Sequence, residues 1–257
     1  ILVVDGTVGF TGGVGIAEEW TGNCEDPGHW RDTHVRVEGP AARDLLGGFL
    51  DNWAEATQCI LSGPDHLPDV QGFDDGIQVQ VTRSTAEKGS TDAEHLFYAA
   101  IACARERIWL TTAYFAPRRA FVEALCQAVG RGVDVRVLTN GPHIDKQVVR
   151  QAGRRCYEQL LACGGRIFEY QRTMLHAKVM IVDANWATVG SINFDNRSFA
   201  LNDELNLSLR DKGVVTELEK HFLTDLDDAR ELELAAWRSR PAHVRARELA
   251  SAAVRRE

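Results

Sequence analysis

A histidine and a lysine two residues apart, His176 and Lys178, open the run H-A-K-V-M-I-V-D-A-N-W-A-T-V-G-S-I-N that ends at Asn193. The residues around them are β-branched or apolar, so the stretch is extended, and a spacing of two puts both side chains on one face of a strand. Burying an imidazole and an ammonium on that face costs free energy unless something anionic sits opposite. Asp183 follows after four residues, and Gly190-Ser191-x-Asn193 after six more. The pattern is two strands joined by a turn, the second ending in small, hydrogen-bonding residues suited to a phosphate. A core histidine beside a snorkelling lysine would account for His-x-Lys alone. It does not account for the whole pattern.

The elements that must carry this pattern alternate along the chain. Ile1–Val4 reads as a buried strand that turns at Asp5-Gly6 into Val8–Thr11, and Ile16–Trp20 as a short helix-like segment. Asp32–Glu38 alternates polar and apolar, a strand with one wet face. Gly39-Pro40 starts a helix with Leu45, Leu46, Phe49 and Trp53 as its apolar stripe. Residues 62–76 (SGPDHLPDVQGFDDG) hold two prolines, three glycines and four aspartates, a loop and the best domain boundary in the chain. Beyond it, Ile77–Val81 is a strand, Thr91-x-x-Glu94 a capping box opening a helix, Ile108–Thr112 a strand, and Phe121–Ala128 a helix closed by Gly130. Val133–Leu138 is the next strand, a longer helix covers 145–163, and Arg166–Tyr170 leads into the motif. Leu205–Leu209 is a strand, and Val215, Leu218, Phe222 and Leu226 mark a closing helix. Such alternation implies α/β with a mixed sheet. The expected division is 1–61, a linker at 62–76, a second unit at 77–237, and an arginine-rich tail at 238–257 read as a solvated helix.

Composition bounds what this site can serve. A chain of 257 residues can bury a large core, and no apolar run approaches the ~20 residues that span a bilayer. It begins Ile1-Leu2-Val3-Val4 in mid-strand, so an upstream segment is expected. A net charge of −8 argues against wrapping nucleic acid. The cysteines at 24, 59, 103, 126, 156 and 163 show no Cys-x-x-Cys and no histidine-paired spacing, and read as reduced core thiols without a metal site.

The motif has an incomplete echo at the front. Six residues separate Asp183 from Gly190-Ser191-Ile192-Asn193, and six separate Asp5 from Gly12-Gly13-Val14-Gly15, each aspartate following an apolar strand. In that register the partner His-x-Lys would fall immediately before Ile1. One internal repeat suggests two similar halves with a site between them.

On these residues the chain resembles the phospholipase D superfamily, marked by two H-x-K-x-x-x-x-D-x-x-x-x-x-x-G-S-x-N motifs facing each other, and within it the bacterial cardiolipin synthases. The resemblance rests on Ile1–Gly13, Trp30–Pro40, Thr111–Pro117, Gly132–Leu138 and above all Met174–Asn206. It implies a phospholipase D-like mixed sheet sandwiched by helices, in two pseudo-symmetric halves of which the first is incomplete. Gly13 stands where the second motif has Ser191 and still offers a backbone N–H; Gly15, in place of Asn193, offers no side-chain donor.

What the resemblance implies for the chemistry is a phosphatidyltransferase that makes cardiolipin from phosphatidylglycerol. A histidine upstream of Ile1 would attack phosphorus to give a phosphohistidine. His176 would protonate the leaving alcohol and later deprotonate the incoming one. Lys178 would stabilise the phosphoryl oxygens, with Ser191 and Asn193 donating hydrogen bonds. Asp183, and Asp5 by the repeat, are motif residues better read as local structural partners than as proton carriers. Glu204 is the expected acceptor for the second nitrogen of His176, and Asp32 its counterpart for the upstream histidine. Tyr114 and Phe115 are expected at the substrate entrance, and Lys146, Arg150, Arg154 and Arg155 as a basic patch or a solvated helix face. No cofactor or metal is implied. The expected partners are a phosphatidylglycerol-like phospholipid and a membrane surface, reached through the upstream anchor, with the oligomeric state open. The alternatives are a hydrolytic phospholipase D, in which water intercepts the same intermediate, a nuclease of the superfamily, which the acidic charge disfavours, and an inactive fragment. With one His-x-Lys, the isolated chain is expected to be inactive.

Overall fold

The computed structural model describes residues 1–85 and 91–241. Three strands, β1 (Leu2–Val4), β2 (Val8–Gly12) and β3 (His34–Glu38), form an antiparallel sheet in that spatial order, and α1 (Pro40–Thr57) follows. After a stretch without helix or strand come β4 (Gln78–Ser84), α2 (Asp92–Cys103), β5 (Arg107–Thr112), α3 (Arg119–Gly130), β6 (Asp134–Asn140), α4 (Gln147–Gly153) and α5 (Tyr157–Ala162). Then follow β7 (Arg166–Tyr170), β8 (Lys178–Val182), β9 (Trp186–Gly190), α6 (Asn196–Ala200), β10 (Glu204–Arg210), α7 (Lys212–Asp227), β11 (Ala229–Glu231) and α8 (Leu234–Arg238).

The second sheet has eight strands in the order β11-β7-β6-β5-β8-β9-β10-β4. Only β5–β6 and β6–β7 are parallel, and each is reached through a helical crossover, as parallel neighbours require. Every residue of β8 is buried, because β8 is interior to a sheet covered on both faces. On one face α2, α3 and α5 contribute Phe97, Ile101, Phe121, Leu125 and Leu160 to a core with Ile108, Leu110 and Met180. On the other, Trp109, Val179, Ile181 and Val189 pack with Val215, Leu218 and Phe222 of α7, and Val35 and Val37 of β3 lie against them. The mixed sheet is thus sandwiched by helices, and the first unit is seated on the face that carries Val179 and Ile181.

Several expectations fail in instructive ways. Leu45 is fully buried, but Phe49 and Trp53 of the α1 stripe are exposed. The helix expected over 145–163 is interrupted: at Gly153 the backbone lies so close to the Phe115 carbonyl that a Cβ would stand 2.3 Å from it, and Arg154–Cys156 tightens into a 3-10 turn. Helix α2 starts after Thr91, but no capping box forms; the Thr91 side chain makes no cap, and Glu94 pairs instead with Arg118. Three short elements were not foreseen. Helix α6 is capped by Asp195, which accepts from Ser198 N at 2.8 Å, and β11 and α8 are three and five residues long, too short for any periodicity to show. The cysteines are not all reduced core thiols: Cys126 of α3 and Cys163 after α5, with Cα atoms 5.6 Å apart, are disulfide-bonded, and Cys59 and Cys103 are exposed. That pairing needs two helices brought together, which spacing along the chain does not encode. Of the tail at 238–257, Arg238 ends α8, and residues 242–257, where the rest of the expected helix would lie, are outside the described residues.

Candidate active site

The site forms where the first unit is strapped to the second. Arg31 and Leu175 make an isolated parallel bridge, with Arg31 N donating to Met174 O at 2.8 Å and His176 N to Arg31 O at 2.7 Å. The Arg31 guanidinium is itself anchored to Asp225 of α7 at 2.8 Å. On the opposite side, the fully buried Asn140 at the end of β6 holds Leu175 by both backbone groups, accepting from its N–H at 2.8 Å and donating to its carbonyl at 2.7 Å. A second bond from the Asn140 amide reaches Ala113 O at 2.9 Å. The residue before His176 is therefore clamped from two directions.

The strap delivers Asp32 to His176. Its Oδ2 lies 2.8 Å from His176 Nδ1, and the Gly13 carbonyl lies 3.1 Å from the same nitrogen. Facing Nδ1 are two acceptors and one donor, the Lys178 ammonium at 2.8 Å; the carboxylate and the carbonyl together favour the ring proton there, since the other tautomer would set a carboxylate lone pair against an imidazole lone pair at 2.8 Å. Nε2 is left to exchange protons with a substrate. The Asp32 side chain is 2 % exposed and that of His176 20 %, so the orienting carboxylate is sealed while the imidazole stays reachable. Asp32 is further fixed by Trp20 Nε1 at 3.0 Å and Thr33 N at 2.7 Å. Burial alone would raise its pKa, but the bond from His176, the Lys178 charge and the Trp20 bond outweigh burial and hold it below the ordinary carboxylate value. Trp20 and Trp30 flank the imidazole, with ring centroids 5.6 and 5.5 Å from it. Neither was singled out in the sequence.

Lys178 is buried, donates to the His176 carbonyl, and has its Nζ 2.8 Å from Nδ1. Burial pulls its pKa down to about 8, against the attraction of Asp32, Glu204 and Asp145. Near neutral pH it is still largely protonated and poorly solvated, which suits a cation waiting for a phosphoryl oxygen.

Glu204, expected against His176, is not its partner: its carboxylate accepts from Ser198 Oγ at 3.0 Å and Asn202 Nδ2 at 2.9 Å. The register explains the exchange. Gly12 pairs with His34 and Gly190 with Asn206, so Asp32 and Glu204 occupy equivalent places two residues before those partners. Asp5 and Asp183 match as well, both in the left-handed region with φ of 50° and 53°. These positions of the two sheets thus correspond, and the acidic residue beside the first sheet reaches across to His176 beside the second. Glu204 instead shares a small cavity with Ile1 and Ser191.

The remaining candidates sort as follows. Asp183 accepts from the backbone N–H groups of Arg105, Glu106 and Arg107, at 2.8 Å for Glu106, and so ties the motif turn to the start of β5. Asp5 is exposed. The Gly13 N–H donates to Thr33 O at 3.3 Å rather than standing free for a phosphate, and a Cβ at Gly13 would lie 2.3 Å from Asp32 Oδ1. Serine at this place would expel the carboxylate that holds His176. Ser191 is engaged with Leu205, its Oγ accepting from Leu205 N at 3.1 Å. Asn193 is buried; its Oδ1 accepts from Tyr114 N at 3.3 Å, and among the described residues its amide nitrogen has no partner. The Tyr114 hydroxyl donates to Asp145 at 2.7 Å, and burial together with that carboxylate raises its pKa. Phe115 is a core residue. The basic patch divides: Arg150 and Arg154 are drawn onto the fully buried Glu169, which Arg230 also reaches, whereas Lys146 and Arg155 are exposed. Among the described residues no group of His, Cys, Asp and Glu is gathered as metal ligands would be.

The mixed-sheet fold is shared with solved structures. The chain is similar to phosphatidylserine synthase of Haemophilus influenzae, with a TM-score of 0.69 over 97% of this chain and 69% of that one at 12% identity. It is also similar to Nuc, a phospholipase D family member from Salmonella typhimurium, with a TM-score of 0.53 over 62% of this chain and 99% of that one at 21% identity. Both likenesses concern the fold. A family model described as "Cardiolipin synthase, PLD-like domain" matches residues 97–226, half of the chain, and the chain belongs to that family. Among curated relatives, the cardiolipin synthase of a Geobacillus species is 37% identical over 246 residues, 95% of this chain and 49% of its own length. The chain spans about half the length of the curated relatives it matches.

Proposed function

We propose that this chain supplies the acid–base half of a phosphatidyltransferase that makes cardiolipin from phosphatidylglycerol. The observation that carries this reading is the Asp32–His176–Lys178 cluster in a chain of the cardiolipin synthase family. In the first half-reaction a histidine of the symmetry-related motif bonds to phosphorus, the P–O bond to the departing glycerol breaks, and His176 Nε2 delivers the proton that glycerol takes away. In the second, an acceptor hydroxyl gives its proton to Nε2, forms a new P–O bond and releases the first histidine. Asp32 holds the imidazole through both steps and stabilises the imidazolium, while Lys178 and the Asn193 amide receive the phosphoryl oxygens. By the pairing of positions, Glu204 serves the nucleophilic histidine as Asp32 serves His176. Asp5, Asp183, Gly13 and Ser191 shape the two turns and strand ends on which the site is built. The division at 62–76 into a first-half remnant and a second complete half, with a tail from 238, belongs to the same reading. So do a phospholipid substrate and a membrane contact, although no helix among the described residues is long and apolar enough to cross a bilayer.

The test is the full-length protein in vesicles of phosphatidylglycerol, with both products followed. Cardiolipin and glycerol in equal amounts are expected, and His176→Asn should abolish them. Phosphatidic acid without cardiolipin would replace the transferase by a hydrolase.

A further inference from the structure

We infer that the cleft between Tyr114, α4 and α6 is the seat of the acceptor lipid's own phosphate, an inference that rests on the transferase reading above. The cleft has a volume of about 370 Å³ and is lined by Tyr114, Lys146, Val149, Asn193, Arg197 and Asn202, among others. It therefore opens directly onto Asn193, whose amide nitrogen has no partner among the described residues. Its two cations are unlike most in this acidic chain. No carboxylate lies within ion-pair distance of Lys146 or Arg197 among the described residues, whereas Arg31, Arg107, Arg118, Arg150, Arg154 and Arg166 are all so engaged. The Lys146 ammonium lies 5.5 Å from the Tyr114 ring centroid, and the Arg197 guanidinium donates to Asn202 Oδ1 at 3.2 Å. Of the carboxylates nearby, Asp145 accepts from the Tyr114 hydroxyl, and Asp195, which also lines the cleft, accepts from Ser198 N of α6.

The chemistry of the acceptor explains why such a place is needed. An incoming alcohol must reach phosphorus from the side on which the departing glycerol left, beside His176, and therefore in this half of the protein. When that alcohol is the terminal hydroxyl of a second phosphatidylglycerol, its own phosphate lies one glycerol unit away. Two phosphates brought that close repel unless the second has cations of its own. Lys178 and Asn193 serve the reacting group; Lys146 and Arg197 line the cleft that opens onto Asn193. Arg197 offers a planar fork for phosphate oxygens and Lys146 a mobile point charge. The exposed Val148, on the wall of the same cleft, suits the apolar stem that follows the headgroup. A site with these cations favours an anionic lipid alcohol over water, which makes the outcome transfer rather than hydrolysis.

The test uses the full-length protein in phosphatidylglycerol vesicles and reads the ratio of cardiolipin to phosphatidic acid. That ratio is independent of how much of a variant folds. Lys146→Ala and Arg197→Ala together should lower it by roughly tenfold or more, the loss expected for two charge-assisted phosphate contacts. The charge-conserving pair Lys146→Arg and Arg197→Lys should restore it. Adding a small neutral alcohol as acceptor should yield the corresponding phosphatidyl-alcohol equally well in wild type and double variant. An unchanged cardiolipin ratio in the double variant overturns the inference alone. Loss of both products in parallel, in each single variant, also overturns it, by assigning the cations to donor cleavage or to the fold. A wild type that makes phosphatidic acid and no cardiolipin removes the functional reading beneath it.

Discussion

Replacing Lys178 by methionine should stabilise the fold while removing the chemistry. The ammonium is buried in a strand interior to the sheet, and its pKa of about 8 against an ordinary 10.5 measures what the folded state loses by holding the charge. At roughly 1.4 kcal/mol per pKa unit, keeping Lys178 protonated at neutral pH costs about 3 kcal/mol. Methionine keeps the unbranched stem, drops the charge and forfeits the bond to the His176 carbonyl, worth about 1 kcal/mol. The net expectation is a gain of about 2 kcal/mol at pH 7, read from urea unfolding by tryptophan fluorescence. The sign with pH follows from the direction of the shift. The unfolded chain binds this proton more tightly, so wild-type stability should rise between about pH 8 and 10.5, and the advantage of the variant should vanish over that interval. A variant less stable than wild type at pH 7, or a difference independent of pH, would refute the claim that Lys178 is held at the expense of stability.

Three other substitutions probe the scaffold of the site. Gly13→Ala puts a Cβ 2.3 Å from Asp32 Oδ1 and should cost about 1–3 kcal/mol by overpacking, with the aspartate driven off His176 in a crystal structure of the variant. Asn140→Ala strands the N–H and carbonyl of Leu175, so about 2–4 kcal/mol should be lost in urea unfolding, at roughly 1–3 per buried group. In the full-length protein, Asp32→Asn should lower turnover by at least about 100-fold, the contribution expected of an oriented general acid–base, with substrate KM little changed.

Much of this arrangement was legible in the residues themselves. His-x-Lys with its aspartate and Gly-Ser-x-Asn is local information: period-2 placement, a turn and small residues at a strand end all lie within eighteen positions. The alternation of Ile108–Thr112, Phe121–Ala128 and Val133–Leu138 announced the parallel part of the sheet for the same reason. Who holds whom was not legible. Asp32 and His176 are 144 positions apart, and the natural guess gave each histidine the acid downstream of it, whereas the strap at Arg31–Leu175 delivers the acid of the other half. Asn140 was invisible because its value lies in two backbone groups of Leu175, and Trp20 because a single helical turn, Glu18–Trp20, is too short to give a periodic signal. Gly13 shows in the sequence only as a backbone N–H; the space it leaves for the Asp32 carboxylate is visible only in the fold. Cys126 and Cys163 show the same limit, since a disulfide depends on how two helices pack.

The central claim is that Asp32, from the first half, fixes the proton on Nδ1 of His176 and frees Nε2 for the substrate. It is tested most directly by ¹⁵N-detected NMR of the His176 ring in this chain labelled at histidine. The account predicts the Nδ1–H tautomer in the neutral imidazole, its loss in Asp32→Asn, and no change in Glu204→Gln. An Nε2–H tautomer in the wild type, or a ring that responds to Glu204→Gln and not to Asp32→Asn, would contradict it.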